Sequence, residues 1–110
     1  WLFAGTERGS IAVFDGITRA VVAKRSLGLS SILDVCWLQR ESAVAAGTVE
    51  GRVCLLDVPS LAILAECQPH HAVIRALAVD DEGTLWSGAT DGRVMRTRLV
   101  NDRFADSQEL

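Results

Sequence analysis

The sequence contains three copies of one thirteen-residue pattern. Each copy has an apolar run, a glycine, a polar turn with a second glycine, and another run; the copies are Phe3–Asp15, Ala45–Asp57 and Trp86–Arg98. The first glycines of the copies are 42 and then 41 residues apart, and so are the second ones. These glycines are Gly5, Gly47 and Gly88, followed by Gly9, Gly51 and Gly92. A period in the low forties indicates one supersecondary unit used repeatedly.

Each copy predicts a β-hairpin, because two runs of strand-forming residues flank a short turn with a glycine. In the central copy the second strand, Val53–Leu56, is apolar at every position, so both of its faces should be buried. A single hairpin cannot cover both of its own faces. The sequence therefore predicts an all-β fold of sheets stacked face to face, as in a radial propeller or a solenoid.

The period divides the chain into about two and a half units of four antiparallel strands, with about ten or eleven strands in all. We predict the end of one unit in residues 1–27, a complete unit in 28–68 and a third unit in 69–110. The complete unit has predicted strands Ile32–Leu38, Ala43–Thr48, Arg52–Asp57 and Leu61–Cys67. The third unit ends in at most a short strand near Phe104. Propellers close with about 4–8 blades, so we expect an incomplete propeller, an excerpt completed by further blades of the same or another chain.

Composition and charge narrow the class of protein. The 11 basic and 14 acidic residues give a net charge of −3 and form no single-sign block, which argues against nucleic acid as a partner. No apolar stretch approaches the roughly 20 residues of a membrane span, so we predict no membrane partner. Cys36, Cys54 and Cys67 lie in apolar runs and suit the core of a protein in a reduced compartment. We therefore expect an intracellular protein, cytoplasmic or nuclear.

The segment His70–Arg98 resembles a WD repeat, the unit of one β-propeller family. His70 matches the motif histidine in its distance from the next aliphatic residue. Ser87 belongs to the matching small-residue step, and Asp91 matches the turn aspartate. The resemblance implies that His70, Ser87 and Asp91 form a buried hydrogen-bond network with a structural role.

The sequence departs from the WD pattern at several positions. Pro69 replaces the glycine before the histidine, and Thr97 stands where the family has tryptophan. The stretch Asp81–Gly88 is similar to a pattern of periplasmic sensor propellers. A ligand-sensing propeller of a periplasmic or extracellular receptor is therefore an alternative.

No motif for catalysis, cofactor binding or metal binding is present in the sequence. It has no nucleophile elbow, P-loop or dinucleotide fingerprint. His70 and His71 with Cys67 lack a fourth zinc ligand, and Asp80–Glu82 lacks the alternating spacing of a calcium loop and suits a solvated turn. We predict no cofactor and no enzyme; the alternative, a propeller enzyme, needs convergent histidine and acidic residues at equivalent places in the units.

We predict instead a scaffold for protein–protein interaction within a larger protein or complex, whose rim loops bind proteins or peptides. The loops expected at one rim are Glu7-Arg8, Leu27–Ser31, Val49-Glu50, Gln68–His71 and Asp91. The candidate partner-binding residues are Glu7, Arg8, Glu50, His71, Arg96 and Arg98. Arg96 aligns with the apolar residues Val13 and Leu55. Either the third sheet borders a different neighbour, or Arg96 and Arg98 face a partner, or the long arginine side chain extends to the rim and keeps its charge in water.

Overall fold

The computed structural model describes residues 1–28 and 30–110, which form eleven β-strands. In chain order these are β1 (Leu2–Gly5), β2 (Ser10–Phe14), β3 (Val21–Ser26), β4 (Ile32–Leu38), β5 (Ala43–Thr48), β6 (Val53–Asp57), β7 (Ile63–Cys67), β8 (Ile74–Val79), β9 (Leu85–Ala89), β10 (Val94–Val100) and β11 (Arg103–Glu109). The described residues form no helix, and so none that is long and apolar enough to cross a membrane.

The strands form three antiparallel sheets in which neighbours in space are neighbours in sequence. The first sheet is β1-β2-β3, the second is β4-β5-β6-β7 and the third is β8-β9-β10-β11. The prediction of an all-β fold built from sheets of four antiparallel strands is confirmed for the second and third sheets. The first sheet has three described strands.

The second glycine of each copy closes the central hairpin of its sheet. Gly9, Gly51 and Gly92 have φ values of 83°, 86° and 81°, a left-handed backbone that glycine adopts without steric cost. In each turn the glycine N–H donates to the carbonyl three residues earlier, at 3.1, 3.2 and 3.1 Å. This is a three-residue hairpin loop that ends in a left-handed glycine. The same turn chemistry therefore fixes the same hairpin geometry in all three sheets.

The second sheet is packed on both faces. Every residue of β5 is buried, and so is every residue of β6 except Asp57. Side chains alternate across a strand, so Leu56 packs toward the first sheet and Leu55 toward the third. The cluster between the first and second sheets contains Ile11, Val13, Leu27, Ile32, Val44, Ala46, Cys54, Leu56, Val58 and Leu61. The cluster between the second and third sheets contains Leu38, Ala43, Ala45, Val53, Leu55, Ile74, Leu77 and Leu85.

Polar contacts also join the second sheet to the third. The Asp34 carboxylate on β4 accepts a hydrogen bond from the Leu77 N–H on β8 at 2.8 Å. The Arg40 guanidinium donates to the carbonyls of Asp81 and Glu82, each at 2.9 Å. Hydrogen bonds therefore connect the second and third sheets at their first strands, β4 and β8, and at the turns that follow these strands.

The last strand is longer than the sequence suggested. We expected at most a short strand near Phe104, but β11 has seven residues and pairs with β10. Only Phe104 in it is partly buried, so its apolar pattern is weak. Polar pairs across the two strands hold it instead: the Thr97 and Ser107 hydroxyls lie 2.8 Å apart, and Arg98 Nε lies 2.8 Å from Asp106 Oδ1.

Candidate functional site

Five connections meet at one end of the sheets, which we call the upper rim. They are the hairpin turns 6–9, 48–51 and 89–92 and the inter-sheet loops 27–31 and 68–73. Leu29, part of one predicted contact loop, lies outside the described residues. Backbone hydrogen bonds join loop to turn: the Leu27 N–H donates to the Gly9 carbonyl at 2.7 Å, and the His70 N–H donates to the Gly51 carbonyl at 3.3 Å.

Side-chain hydrogen bonds also join each inter-sheet loop to the neighbouring hairpin turn. The Ser31 hydroxyl donates to the Glu7 carbonyl at 2.5 Å, and the Gln68 amide donates to the Glu50 carbonyl at 3.2 Å. The buried Ser30 hydroxyl donates to the Glu50 carboxylate. The backbone of the upper rim is therefore fixed by hydrogen bonds between each inter-sheet loop and the hairpin turn beside it.

Four of the predicted partner-binding residues lie on the upper rim and are exposed: Glu7, Arg8, Glu50 and His71. Glu7 and Arg8 line an open pocket of about 490 Å³ together with Lys24 of β3. Sequence analysis missed Lys24, which reaches this pocket because β3 pairs with β2 next to the turn. The pocket thus combines two cationic side chains with one carboxylate.

His70 lies beneath the rim and is almost fully buried, with 2% of its surface exposed. Its Nε2 lies 2.9 Å from the Ser87 hydroxyl and 3.3 Å from the Ser87 carbonyl on β9. Asp91 is exposed instead, and its carboxylate accepts a hydrogen bond from the Arg93 N–H at 3.0 Å within its own turn. His70 Nδ1 has no hydrogen-bond partner among the described residues. The structure therefore brings together two of the three residues that the WD resemblance implied for a network.

We expect His70→Ala to lower the free energy of unfolding by about 2–4 kcal/mol, because it removes a buried hydrogen bond and leaves a cavity. Ser87→Ala should cost about 1 kcal/mol, and the double variant should cost less than the sum, since both changes remove one contact. Urea unfolding followed by fluorescence measures all three values. The control is His71→Ala at the exposed neighbouring position, which should stay within about 0.5 kcal/mol of the parent. Equal losses at both positions would contradict a stabilising role for the His70–Ser87 contact.

The other two predicted partner-binding residues, Arg96 and Arg98, lie on β10 away from the rim. Arg96 pairs with Trp86 on the face of the third sheet that points away from the second sheet. Its guanidinium carbon lies 5.9 Å from the centre of the Trp86 ring, and its Nη2 donates to Gln108 at 2.6 Å. Arg98 is exposed and paired with Asp106. Arg96 therefore covers an aromatic ring, which an arginine can do while keeping its charge in contact with water.

Asp80 organises a turn at the opposite end of the sheets. Its carboxylate accepts hydrogen bonds from the N–H groups of Glu82 and Thr84 at 2.9 and 3.0 Å, and from the Trp86 indole at 2.9 Å. The bond from Trp86, together with the backbone bonds, lowers the pKa of Asp80. These hydrogen bonds join the Asp80 carboxylate to the turn between β8 and β9 and to Trp86 on β9. No group of three or more potential metal ligands occurs among the residues that the structure describes.

The three cysteines are free thiols. Burial raises the pKa of Cys54 to about 11, and the nearby Glu66 carboxylate adds to this rise. Burial also raises the pKa of Cys67 to about 12. Because the thiolate is the nucleophile and the metal ligand, thiols with such pKa values are inert near neutral pH.

Solved structures with the same arrangement of sheets come from WD-repeat proteins. A chain in the crystal structure of the mitotic checkpoint complex has a TM-score of 0.82 and 17% identity, covering 96% of this chain and 33% of that one. The Cps50 (Swd1) β-propeller domain of Myceliophteria thermophila has a TM-score of 0.79 and 13% identity. The match covers 98% of this chain and 32% of that one. Sqt1 of Saccharomyces cerevisiae has a TM-score of 0.81 and 19% identity. The match covers 96% of this chain and 29% of that one.

This chain has the fold of a β-propeller segment. The prediction of a propeller is therefore confirmed, and each four-stranded sheet is a blade. The propeller segment spans about a third of the length of these solved proteins. No family model matches the sequence, and no curated protein matches it.

Proposed function

We propose that this propeller segment is a non-catalytic scaffold of an intracellular protein, and that it binds other proteins or peptides through its upper rim. The observation that carries the proposal is the pairing of exposed charged side chains with a fixed backbone. The Glu7 carbonyl accepts a hydrogen bond from the adjacent loop, while the Glu7 and Arg8 side chains line the open pocket. A preorganised loop loses little conformational entropy on binding, which favours its use in recognition.

The charges of the rim suit a partner of mixed charge. Arg8 and Lys24 supply positive charge at the pocket, and Glu7 supplies negative charge beside them. Complementary charges contribute mainly to partner selection and association rate. Mixed signs and a net charge of −3 favour proteins or peptides over nucleic acid, whose binding calls for a clustered basic face.

Charge reversal at the rim tests this proposal. The variant Glu7→Arg/Arg8→Glu keeps the net charge and should lose a partner that the parent protein captures from its source cell, with Kd raised at least about tenfold. The matched control, Arg19→Glu/Glu82→Arg, reverses two exposed charges at the opposite end of the sheets and should retain that partner.

Capture followed by titration with the purified partner gives the affinities, and circular dichroism verifies that each variant is folded. Equal affinity of the parent and the rim variant for every captured protein would contradict a role for the upper rim.

A further inference from the structure

Each blade has an upper corner, where its central hairpin turn lies beside the upper end of its outermost strand. Two positions define this corner. One is the residue before the turn glycine, and the other is the residue on the outermost strand that pairs with the third residue after that glycine. These residues are Arg8 and Lys24 in the first blade, Glu50 and Glu66 in the second, and Asp91 and Glu109 in the third. The three corners can therefore be compared position by position.

The charge at both positions has the opposite sign in the first blade. The second and third blades have a carboxylate at each position, and an arginine directly follows the turn glycine. In the third blade this arginine offsets one of the acids, because Arg93 Nε lies 3.8 Å from Glu109 Oε1. The first blade has cations, Arg8 and Lys24, at both positions and the neutral Ser10 in place of the arginine. The corner of the first blade, which we call the first corner, is thus positive where the other two corners are negative.

Both cations of the first corner line the open pocket of about 490 Å³. Neither Arg8 nor Lys24 forms an ion pair with a carboxylate of the described residues. Thr6 and Ser10 line the same pocket, and the Ser10 N–H donates to Thr6 Oγ1 at 3.1 Å. Cationic groups form their strongest hydrogen bonds with anions, and each hydroxyl can donate a further one. The lining of the pocket therefore suits an anionic group.

A blade stacked on this side leaves the upper corner exposed. The first blade packs against the second through Cys54, which pairs with Glu66, yet Glu50 and Glu66 are both exposed. In the third blade, which packs against the second, Asp91 and Glu109 are exposed as well. The corner thus belongs to the upper rim and not to the surface between blades. Its two cations stay accessible with another blade stacked beside them.

We propose that the first corner binds the carboxylate of an aspartate or glutamate in a peptide segment of the protein partner, an inference that rests on the function proposed for the upper rim. Arg8 and Lys24 supply the positive charge that attracts this carboxylate. Glu7 limits the charge of the ligand, because two cations beside one carboxylate give the pocket one net positive charge. A second carboxylate neutralises that charge, whereas a phosphate, with a charge of about −1.5 to −2, exceeds it.

Selection from a displayed library of random peptides tests this inference on the full-length polypeptide. The parent should select peptides that share an aspartate or glutamate. Arg8→Glu/Lys24→Glu gives the first corner the signs of the other two corners and should select lysine or arginine at that place, because it repels acids. An unchanged preference in this variant would overturn the proposal.

The matched control is Arg19→Glu/Arg103→Glu, which makes the same change in net charge at the opposite end of the sheets. It should select the same acidic peptides as the parent. Loss of the acidic preference in this control would overturn the proposal, since the preference would then follow the net charge of the protein and not the first corner. Circular dichroism verifies that both variants are folded.

Titration with the strongest selected peptide identifies the contact. Replacing its acid by the corresponding amide should raise Kd at least about tenfold for the parent. The same replacement should leave Kd nearly unchanged for Arg8→Gln/Lys24→Gln, because the groups that bind the acid are then absent. Phosphoserine in place of the acid should bind the parent more weakly. Equal or tighter binding of the phosphoserine peptide would overturn the assignment to a carboxylate.

The same peptides separate a failure of this inference from a failure of the proposed function. Selected peptides that share no acid, but lose affinity for Glu7→Arg/Arg8→Glu, would overturn the carboxylate site and leave recognition at the upper rim supported. Peptides that bind the parent and this variant equally would contradict the upper rim, and with it the carboxylate site. Selection of no peptide would overturn both.

Discussion

Gly51→Ala lowers the free energy of unfolding by about 3–5 kcal/mol, a large loss for a single methyl group. Two effects add at this position. Gly51 has a φ of 86°, which costs an alanine about 1–2 kcal/mol. The added Cβ also meets the carbonyl group of His70, with the carbonyl carbon 2.6 Å away. Because this neighbour is backbone, only a shift of the whole inter-sheet loop relieves the clash, and that shift disturbs the hydrogen bond from the His70 N–H to Gly51.

Gly83→Ala is the matched control for this prediction. Gly83 has a φ of 81°, nearly the same as Gly51, but an added Cβ would lie 3.5 Å from the Arg40 side chain, an ordinary contact. Gly83→Ala should therefore cost only the backbone contribution, about 1–2 kcal/mol. Urea unfolding at 25 °C compares the two variants directly. Equal losses would show that the contact between the turn and the inter-sheet loop contributes nothing to stability.

The glycine spacing allowed the architecture to be predicted because it reflects steric requirements that no other residue meets. Gly9, Gly51 and Gly92 recur where the hairpins need a left-handed residue. The starts of strands were less accurate. Leu61 was predicted to begin a strand, but it is a turn residue with a φ of 59°, and β7 begins at Ile63. Apolar side chains continue through that turn because Leu61 is itself buried, so hydrophobicity alone could not mark the boundary.

The length of β11 could not be predicted from an apolar pattern, because polar pairs with β10 hold this strand. The sequence did contain one signal for this strand, the pair Asn101-Asp102. In the structure these residues have φ values of 51° and 60°, as in a two-residue hairpin turn of type I′. Asparagine and aspartate are residues that such turns favour. Recognising that turn would have predicted a strand on its far side.

The upper rim followed from strand directions, but individual contacts at the candidate site did not. Alternating strands return the predicted loops to one end, and Glu7, Arg8, Glu50 and His71 lie there. The surroundings of Arg96 depend on its pairing with Trp86 across the sheet, a relation between two segments ten residues apart that alignment of the copies does not reveal.

Leu55→Arg is expected to abolish folding. Leu55 is fully buried between the second and third blades. Its replacement loses about 2 kcal/mol of apolar burial and places a guanidinium, which stays charged at any accessible pH, among aliphatic side chains at a further cost of several kcal/mol. The sum is comparable to the whole stability of a typical domain, about 5–15 kcal/mol. Near-ultraviolet circular dichroism and the thermal transition should both be lost.

Ile63→Arg provides the control for Leu55→Arg because it makes a similar change in the same sheet. Ile63 is 41% exposed on the outermost strand, so an arginine there keeps its charge in water and should change the Tm little. Arg96 shows why position matters more than residue type: it occupies the place that corresponds to Leu55, but it covers Trp86 and hydrogen-bonds Gln108. A folded Leu55→Arg variant with the parental Tm would mean that the second and third blades are not packed against each other through Leu55.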